Sequence, residues 1–396
     1  MSEIHSEKEK EFVFKKNYRS DSVQPHSSPI FQTSVYDYPD LESLDDFYEG
    51  RLPGSFIYSR NGLPNSKELG DLVATYEGTD GGVVCASGMG AITVAILSTL
   101  KSGDKLVASN DLYGGTTTLL RDELSRFQIQ TSFVDSVSSE EIEEGLNGAK
   151  FVIVETISNP SMKVCDIREI AELAHRHGAL LLVDNTFATP FVVKPVDLGA
   201  DIVMHSGTKY LGGHDDLTIG LLCGKNEWIS RATRFCTRSG VIAGPFDCWL
   251  ATRSLSTWKI RVKQASENAL KLASYLESRR DKVSRVFYPG LQSHPQHRIA
   301  VNSFSDNQFG GMLSFDLKNG YHAASKFVKA LENITLTPSL GGVHTAISHP
   351  GKTSHRSLSL DEKQRLGITD AMIRVSVGIE EYRSIEREFE KALDSS

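Results

Sequence analysis

An aspartate and a lysine close two successive apolar runs of this chain, and their types and spacing suit carbonyl chemistry. Ala179-Leu180-Leu181-Leu182-Val183 is short and uninterrupted, the pattern of a strand buried on both faces of a parallel sheet, and it ends at Asp184. A second run, Ile202-Val203-Met204, leads into Ser206-Gly207-Thr208-Lys209-Tyr210. Ligands in open α/β sheets gather at the carboxyl ends of strands, so Asp184 and Lys209 are expected to face one crevice. A lysine there can condense with a carbonyl, and an aspartate can hold a ring nitrogen protonated. Pyridoxal phosphate needs that pairing: an imine-forming lysine, and an acid that keeps the pyridinium charged so that the ring accepts electrons.

Each residue also has an ordinary use. Lysine after a buried strand commonly starts a solvated helix, and aspartate at a strand end commonly caps one. The neighbours favour chemistry. Ser206 and Thr208 carry hydroxyls suited to phosphate oxygens, and Gly212-Gly213 lets the backbone turn tightly beside them. Ser87-Gly88-Met89-Gly90 follows the apolar run Val83-Val84-Cys85-Ala86 and precedes a helical pattern, so Gly88 and Met89 lie at a helix N-terminus, where backbone N–H groups and the dipole favour a phosphate. A dinucleotide fingerprint is the competing reading, but Thr93 stands where its third glycine belongs.

Tyr113, in Asp111-Leu112-Tyr113-Gly114-Gly115-Thr116, follows another apolar run at residue 106; its ring can stack on a planar cofactor or simply pack. Arg60 lies in Tyr58-Ser59-Arg60-Asn61, and Arg374 in Ile373-Arg374-Val375-Ser376-Val377. An arginine inside an apolar strand is costly unless an anion pairs with it, and either a substrate carboxylate or an internal salt bridge would serve. His205, His214, Asp215 and Asp216 match no helix-borne ligand spacing, so no metal is expected.

The elements that must hold these residues follow from periodicity. From about Glu68 helical spacing (Leu69, Leu72, Val73, Tyr76) alternates with short apolar runs at Leu106-Val107-Ala108 and Phe151-Val152-Ile153-Val154, which predicts an α/β unit with a mainly parallel sheet. After about residue 250 the texture changes. One long helix is expected over 252–282, then strands at 312–316 and 373–377 and a final helix, a smaller α+β domain. The boundaries expected are an N-terminal arm over 1–56, a large cofactor-binding domain over 57–250 and a small domain over 251–396. Residues 1–16 alternate charge and are expected to be a mobile tip. Residues 25–64 are too aromatic for a linker and too irregular for a helix or sheet, and a second subunit is the surface they are expected to cover.

Composition narrows the function classes. With 396 residues the chain exceeds what one core usually supports. Its formal charge is −7, from 43 basic and 50 acidic residues with no basic stripe, which argues against nucleic acid as a partner. No apolar run approaches the ~18 residues of a membrane helix and the N-terminus is charged, so a cytoplasmic protein is expected. Five cysteines, odd in number and widely spaced, fit neither a disulfide framework nor a structural zinc site.

Taken in order, Ser28-Pro29-Ile30-Phe31-Gln32-Thr33-Ser34, Tyr58-Ser59-Arg60, Ser87-Gly88-Met89, Tyr113-Gly114-Gly115-Thr116, Glu155-Thr156 with Asn159-Pro160, Val183-Asp184-Asn185-Thr186-Phe187, Ser206-Gly207-Thr208-Lys209-Tyr210, Ser339-Leu340-Gly341-Gly342 and Ile373-Arg374-Val375-Ser376-Val377-Gly378 span nearly the whole chain. This series resembles the Cys/Met-metabolism family of pyridoxal-phosphate enzymes: the cystathionine synthases and lyases, methionine γ-lyase and the homoserine-ester sulfhydrylases. The resemblance implies an aspartate-aminotransferase-like fold (PLP fold type I) and a homotetramer built from dimers with shared active sites. It also implies that Lys209 holds the cofactor covalently and shuttles protons, that Asp184 pairs with the pyridine nitrogen and that Tyr113 stacks on the ring. Gly88, Met89, Ser206 and Thr208 would hold the phosphate with Tyr58 and Arg60 of the neighbouring subunit, and Arg374, Asn159 and Ser339 would hold the substrate carboxylate.

The chain departs from its apparent relatives at Asn61-Gly62-Leu63-Pro64-Asn65, in its opening residues, and at His344, where many γ-acting relatives carry an acid. The activity the resemblance implies is γ-elimination or γ-replacement on cystathionine or an O-acylhomoserine. Cystathionine β-lyase, methionine γ-lyase and O-acetylhomoserine sulfhydrylase are the alternatives, and a nucleotide-binding oxidoreductase is the reading from another class.

Overall fold

The computed structural model describes residues 25–396 apart from Ser357, so the mobile tip expected at 1–16 lies outside the described residues. Strands β1 (Gly81–Cys85), β2 (Lys105–Ser109), β3 (Gln130–Val134), β4 (Ala149–Glu155), β5 (Leu180–Asp184), β6 (Ile202–Ser206) and β7 (Gly220–Gly224) form one sheet in the order β1-β7-β6-β5-β4-β2-β3. It is mainly parallel, as the alternating pattern predicts. β5 sends Leu182 into one helical layer and Leu181 and Val183 into the other, which is why its sequence shows no polar alternation.

β7 is the exception, antiparallel to both β1 and β6. Between β6 and β7 the chain makes tight turns around Lys209, with Gly213 N donating to Lys209 O at 2.7 Å, and no helix intervenes to carry it across the sheet.

A second sheet holds β8 (Val283–Phe287), β9 (Met312–Leu317), β10 (Thr335–Leu336), β11 (Ala346–Ser348) and β12 (Met372–Ser376), in the order β10-β11-β12-β9-β8. β12 is central, which places Arg374 between Ser348 and Ser314 on its neighbours. The helix Tyr382–Asp394 backs this sheet through Phe389, whose ring lies 6.2 Å from Phe315 and 5.5 Å from Phe327. One apolar core runs through both sheets; Trp258 is buried in it and meets Tyr76 with ring centroids 5.2 Å apart.

Two expectations are corrected. The single helix expected over 252–282 is two, Pro245–Leu255 and Trp258–Ser278, broken at Ser256-Thr257. The buried Arg261 accounts for the break: its guanidinium reaches back to Ser254 O at 3.0 Å and across to Tyr210 O at 2.8 Å and Leu211 O at 3.1 Å. The arm is not wholly irregular either, since Leu41–Tyr48 is a helix whose N-terminus is capped by Asp40, accepting from Ser43 N at 2.7 Å. The stretch before it lies on its own chain, with Asn65 Nδ2 donating to Pro29 O at 2.8 Å and Trp249 Nε1 to Ser28 O at 2.8 Å. The five cysteines are free and buried. Among the described residues no helix is long and apolar enough to cross a membrane.

Candidate active site

A cavity of about 220 Å³ opens between the carboxyl ends of β4, β5 and β6 and the face of β12. In open α/β sheets the loops that leave the carboxyl ends of neighbouring strands diverge to opposite faces, and the crevice between them is where a ligand sits. Gly88, Met89, Tyr113, Asn159, Asp184, Ser206, Thr208, Lys209 and Arg374 all line this cavity.

Asp184 ends β5 beside Glu155, which ends β4 as its register partner. Thr186 donates its backbone N–H at 3.0 Å and its hydroxyl to Asp184 Oδ1, and itself accepts from Ser206 N at 2.8 Å. Burial pushes the Asp184 carboxyl up, and the Thr186 donors pull it back. Glu155 is pushed well above the usual carboxylate range by burial first and then by the charge of Asp184, while Oε1 accepts from Tyr113 N at 2.6 Å. Two adjacent buried acids disfavour each other's ionised form, and a cationic ring nitrogen beside Asp184 would relieve that.

Lys209 Nζ donates to Ser339 Oγ at 3.2 Å, and Ser339 Oγ donates to Asp215 Oδ1 at 3.3 Å. Burial lowers the pKa of the Lys209 amine, the nearby Arg374 lowers it further, and Asp215 opposes both. A lysine so placed presents more of the neutral, nucleophilic amine near pH 7 than an exposed one. Arg261 fixes the loop behind it, and a side chain at Gly213 (φ +72°) would collide with that guanidinium.

The helix Gly88–Thr99 starts at the cavity wall, capped by Ser87 Oγ accepting from Gly90 N at 3.0 Å. Only a residue without Cβ fits at 88, where an ideal Cβ would stand 2.9 Å from Ser206 Cβ and 3.0 Å from Ser206 Oγ. The helix N-terminus and Ser206 therefore converge on one point, the geometry of an anion cradle. Thr208, in the turn after β6, is held in place by Ile219, from whose N it accepts at 3.0 Å. Gly88→Ala is expected to overpack this contact at a cost of about 1–3 kcal/mol, and so to weaken cofactor retention by about tenfold or more. Titration of the apoprotein with pyridoxal phosphate measures it, and unchanged affinity would rule out the cradle.

Arg374 is buried in β12. Nη1 donates to Asn159 Oδ1 at 2.9 Å and Nη2 to Ser339 O at 3.3 Å, whereas Nε has no partner. Burial brings it down to about 10, so it stays cationic at neutral pH. The internal salt bridge left open by sequence does not form among the described residues. A buried cation that lines a cavity and meets no carboxylate among the described residues suits a carboxylate ligand.

Tyr58 and Arg60 do not line this cavity. Arg60 Nη1 donates to Thr237 O at 3.0 Å and its guanidinium lies 5.5 Å from the Tyr58 ring centroid, both at the surface. His344 is exposed and does not line the cavity either. His205, His214, Asp215 and Asp216 form no metal-holding group, and none with three or more suitable side chains occurs among the described residues.

Three residues at or behind the site were given no role from sequence, although Glu155 and Thr186 stand in the motif series. Glu155 terminates an apolar run as Asp184 does, a signal that was available. Arg261 interrupts the apolar stripe of its helix, a weaker one. The role of Thr186 follows only from its contact with Asp184.

A profile of the Cys/Met metabolism PLP-dependent enzymes matches residues 11–394. The chain belongs to that family. It is 40% identical over 93% of its length to a cystathionine beta-lyase of Lactococcus lactis subsp. cremoris, covering 94% of that protein. It is 38% identical to a cystathionine gamma-lyase of Bacillus subtilis, covering 93% of this chain and 94% of that one. It is 37% identical to an L-methionine gamma-lyase of Fusobacterium nucleatum subsp. polymorphum, covering 92% and 93%. The solved structure of cystathionine gamma synthase from Xanthomonas oryzae pv. oryzae superposes with a TM-score of 0.90 at 32% identity, covering 95% of each chain.

As a member of the Cys/Met metabolism family the chain is a pyridoxal-phosphate-dependent lyase or transferase acting on sulfur amino acids. Its cavity fits that cofactor on its own evidence. The cradle at Gly88 suits a phosphate, the buried Asp184 suits a protonated ring nitrogen, and Lys209 and Arg374 line the same cavity.

Proposed function

We propose that the chain catalyses γ-elimination or γ-replacement on cystathionine or an O-acylhomoserine. The observation that carries the reading is the gathering of a depressed lysine, a buried acid pair and an unpaired buried arginine in one cavity. Bound pyridoxal phosphate supplies an electron sink for charge at the substrate Cα.

The chain's own residues do the rest. Gly88, Met89, Ser206 and Thr208 hold the phosphate, Asp184 holds the ring nitrogen, and Tyr113 covers the ring. Arg374, its plane set by Asn159 Oδ1 and Ser339 O, binds the substrate α-carboxylate. Lys209 would hold the cofactor aldehyde at rest and, its amine freed when the substrate amine takes its place, would remove the Cα proton. Departure at Cγ demands a second abstraction at Cβ, so the same amine must serve two carbons; departure at Cβ requires only the first. The long flexible lysine side chain suits that double duty.

Tyr113-Gly114-Gly115-Thr116 supports γ-chemistry of the cystathionine type, because methionine γ-lyase-like chains carry cysteine at the Gly115 position. Here an ideal Cβ at 115 would stand 2.6 Å from Tyr113 Cε1, so the ring occupies space that a side chain would need. The second reading, β-elimination from cystathionine, draws on the 40% identity to the Lactococcus enzyme. Incubating the purified protein with cystathionine, methionine, cysteine, O-acetylhomoserine and O-succinylhomoserine, each with and without added thiol, separates them. 2-Oxobutanoate or a thioether is expected; pyruvate as the main product from cystathionine, with no thioether from the esters, assigns a β-lyase.

The assembly proposed is a homotetramer of dimers in which Tyr58 of the partner subunit and Arg60 of the partner subunit complete the phosphate site. Their distance from their own chain's cavity supports it. Mixing Arg60→Ala chains with Lys209→Ala chains should restore part of the activity through hybrid sites, and no recovery despite proven subunit exchange would exclude shared sites.

A further inference from the structure

Behind the cavity, on the other side of the main sheet, lies a buried acid–base pair with no part in the mechanism above. Glu77 and His205 are both fully buried, and His205 Nε2 lies 2.5 Å from Glu77 Oε1. The pair is poorly satisfied, since Glu77 Oε2 and His205 Nδ1 find no hydrogen-bond partner. Glu77 is also the last residue of the helix Pro64–Glu77, where the dipole disfavours an acid. A buried pair with unmet hydrogen bonds adds little to stability compared with apolar packing, so stability alone does not account for it.

Its placement supplies one. Met204 and Ser206 of β6 line the cavity, and His205 between them projects from the opposite face of the strand. Glu77 Oε1 also accepts from Asn185 Nδ2 at 3.0 Å, and Asn185 Oδ1 accepts from Thr156 Oγ1 at 2.8 Å. One buried carboxylate thus ties together the tips of β4, β5 and β6, one residue from Glu155, Asp184 and Ser206. The charge of His205 reaches Asp184, where it opposes the upward push of burial. Asp184 has Glu155 beside it, an acid already pushed up by the charge of Asp184, and a cation behind the sheet favours Asp184 as the ionised one of the two.

We propose that the Glu77–His205 pair is a positioning element that holds Asp184 ionised and aimed at the cofactor ring nitrogen, with His205 supplying the charge and Glu77 fixing it in place. This rests on the assignment of Asp184 to that nitrogen. The pair touches neither cofactor nor substrate and acts only through Asp184.

The test uses full-length apoprotein titrated with pyridoxal phosphate and with an analogue whose ring nitrogen is replaced by C–H, alongside thermal unfolding. The wild type should bind the natural cofactor more tightly, because only it can place a protonated nitrogen against Asp184. His205→Gln, which keeps a donor for Glu77 but no charge, should cut that preference at least fivefold, mainly by weakening the natural cofactor. The double variant Glu77→Gln with His205→Gln, an amide pair without buried charge, should cut it in the same direction and covers the case in which the single variant does not fold. Equal weakening of both ligands would make the pair merely structural, and an unchanged preference in the double variant would remove it from the site; either overturns the inference. A wild type without preference would overturn the Asp184 assignment itself, and the inference with it.

Discussion

Lys209→Ala is expected to lose turnover by a factor on the order of 10⁴ or more, since one residue both anchors the cofactor and moves the protons. The wild-type protein, reduced with borohydride, should carry the cofactor on the peptide containing Lys209; the variant should carry none, although Gly88, Ser206 and Thr208 still offer a phosphate site. Retained labelling or turnover would place the reactive amine elsewhere. The surroundings of Lys209 also set a pH dependence. Burial and Arg374 lower its pKa, so in the apoprotein the neutral amine accumulates as pH rises through a window below the ordinary lysine value, and the ascending limb of pyridoxal phosphate capture falls there. Asp215 acts in the opposite sense by favouring the ammonium. Asp215→Asn should therefore move that limb to lower pH, and a shift upward would show that Asp215 does not act on Lys209.

Arg374→Ala is expected to raise KM for amino-acid substrates by roughly thirtyfold to several thousandfold, the equivalent of the 2–5 kcal/mol lost when one partner of a buried charged pair is truncated. Cofactor affinity should change little, because Arg374 faces the substrate side of the cavity and is held by Asn159 and Ser339 rather than by the phosphate cradle. Arg374→Lys keeps the charge but cannot span Asn159 Oδ1 and a carboxylate together, so it should recover only part of the loss. A KM unchanged in Arg374→Ala would leave the arginine a structural residue that binds two oxygens of its own chain.

Asp184 and Lys209 were legible from sequence for a local reason. A strand buried on both faces is a short apolar run, and the residue that ends the run stands at the strand's carboxyl end, where parallel sheets present ligands. The same logic would have found Glu155, which ends β4. Gly88 was legible as a turn residue at a helix start, but the reason for glycine there is the approach of Ser206, a contact across the sheet. The helix Leu41–Tyr48 was missed because its signal is one cap, Asp40, with no buried face to impose a periodicity.

What sequence by itself determined, then, was the α/β class, the order of the motifs and the chemistry their side chains can perform, because these depend on residue type and on spacing within one element. Tertiary structure decided which groups meet and with what charge. Arg374 reaches Asn159 across 215 positions, and His205 reaches Glu77 across 128; no local periodicity encodes either. The raised Glu155 and the lowered Lys209 follow from the same cause, since burial and facing charges exist only once the two sheets have closed on one cavity.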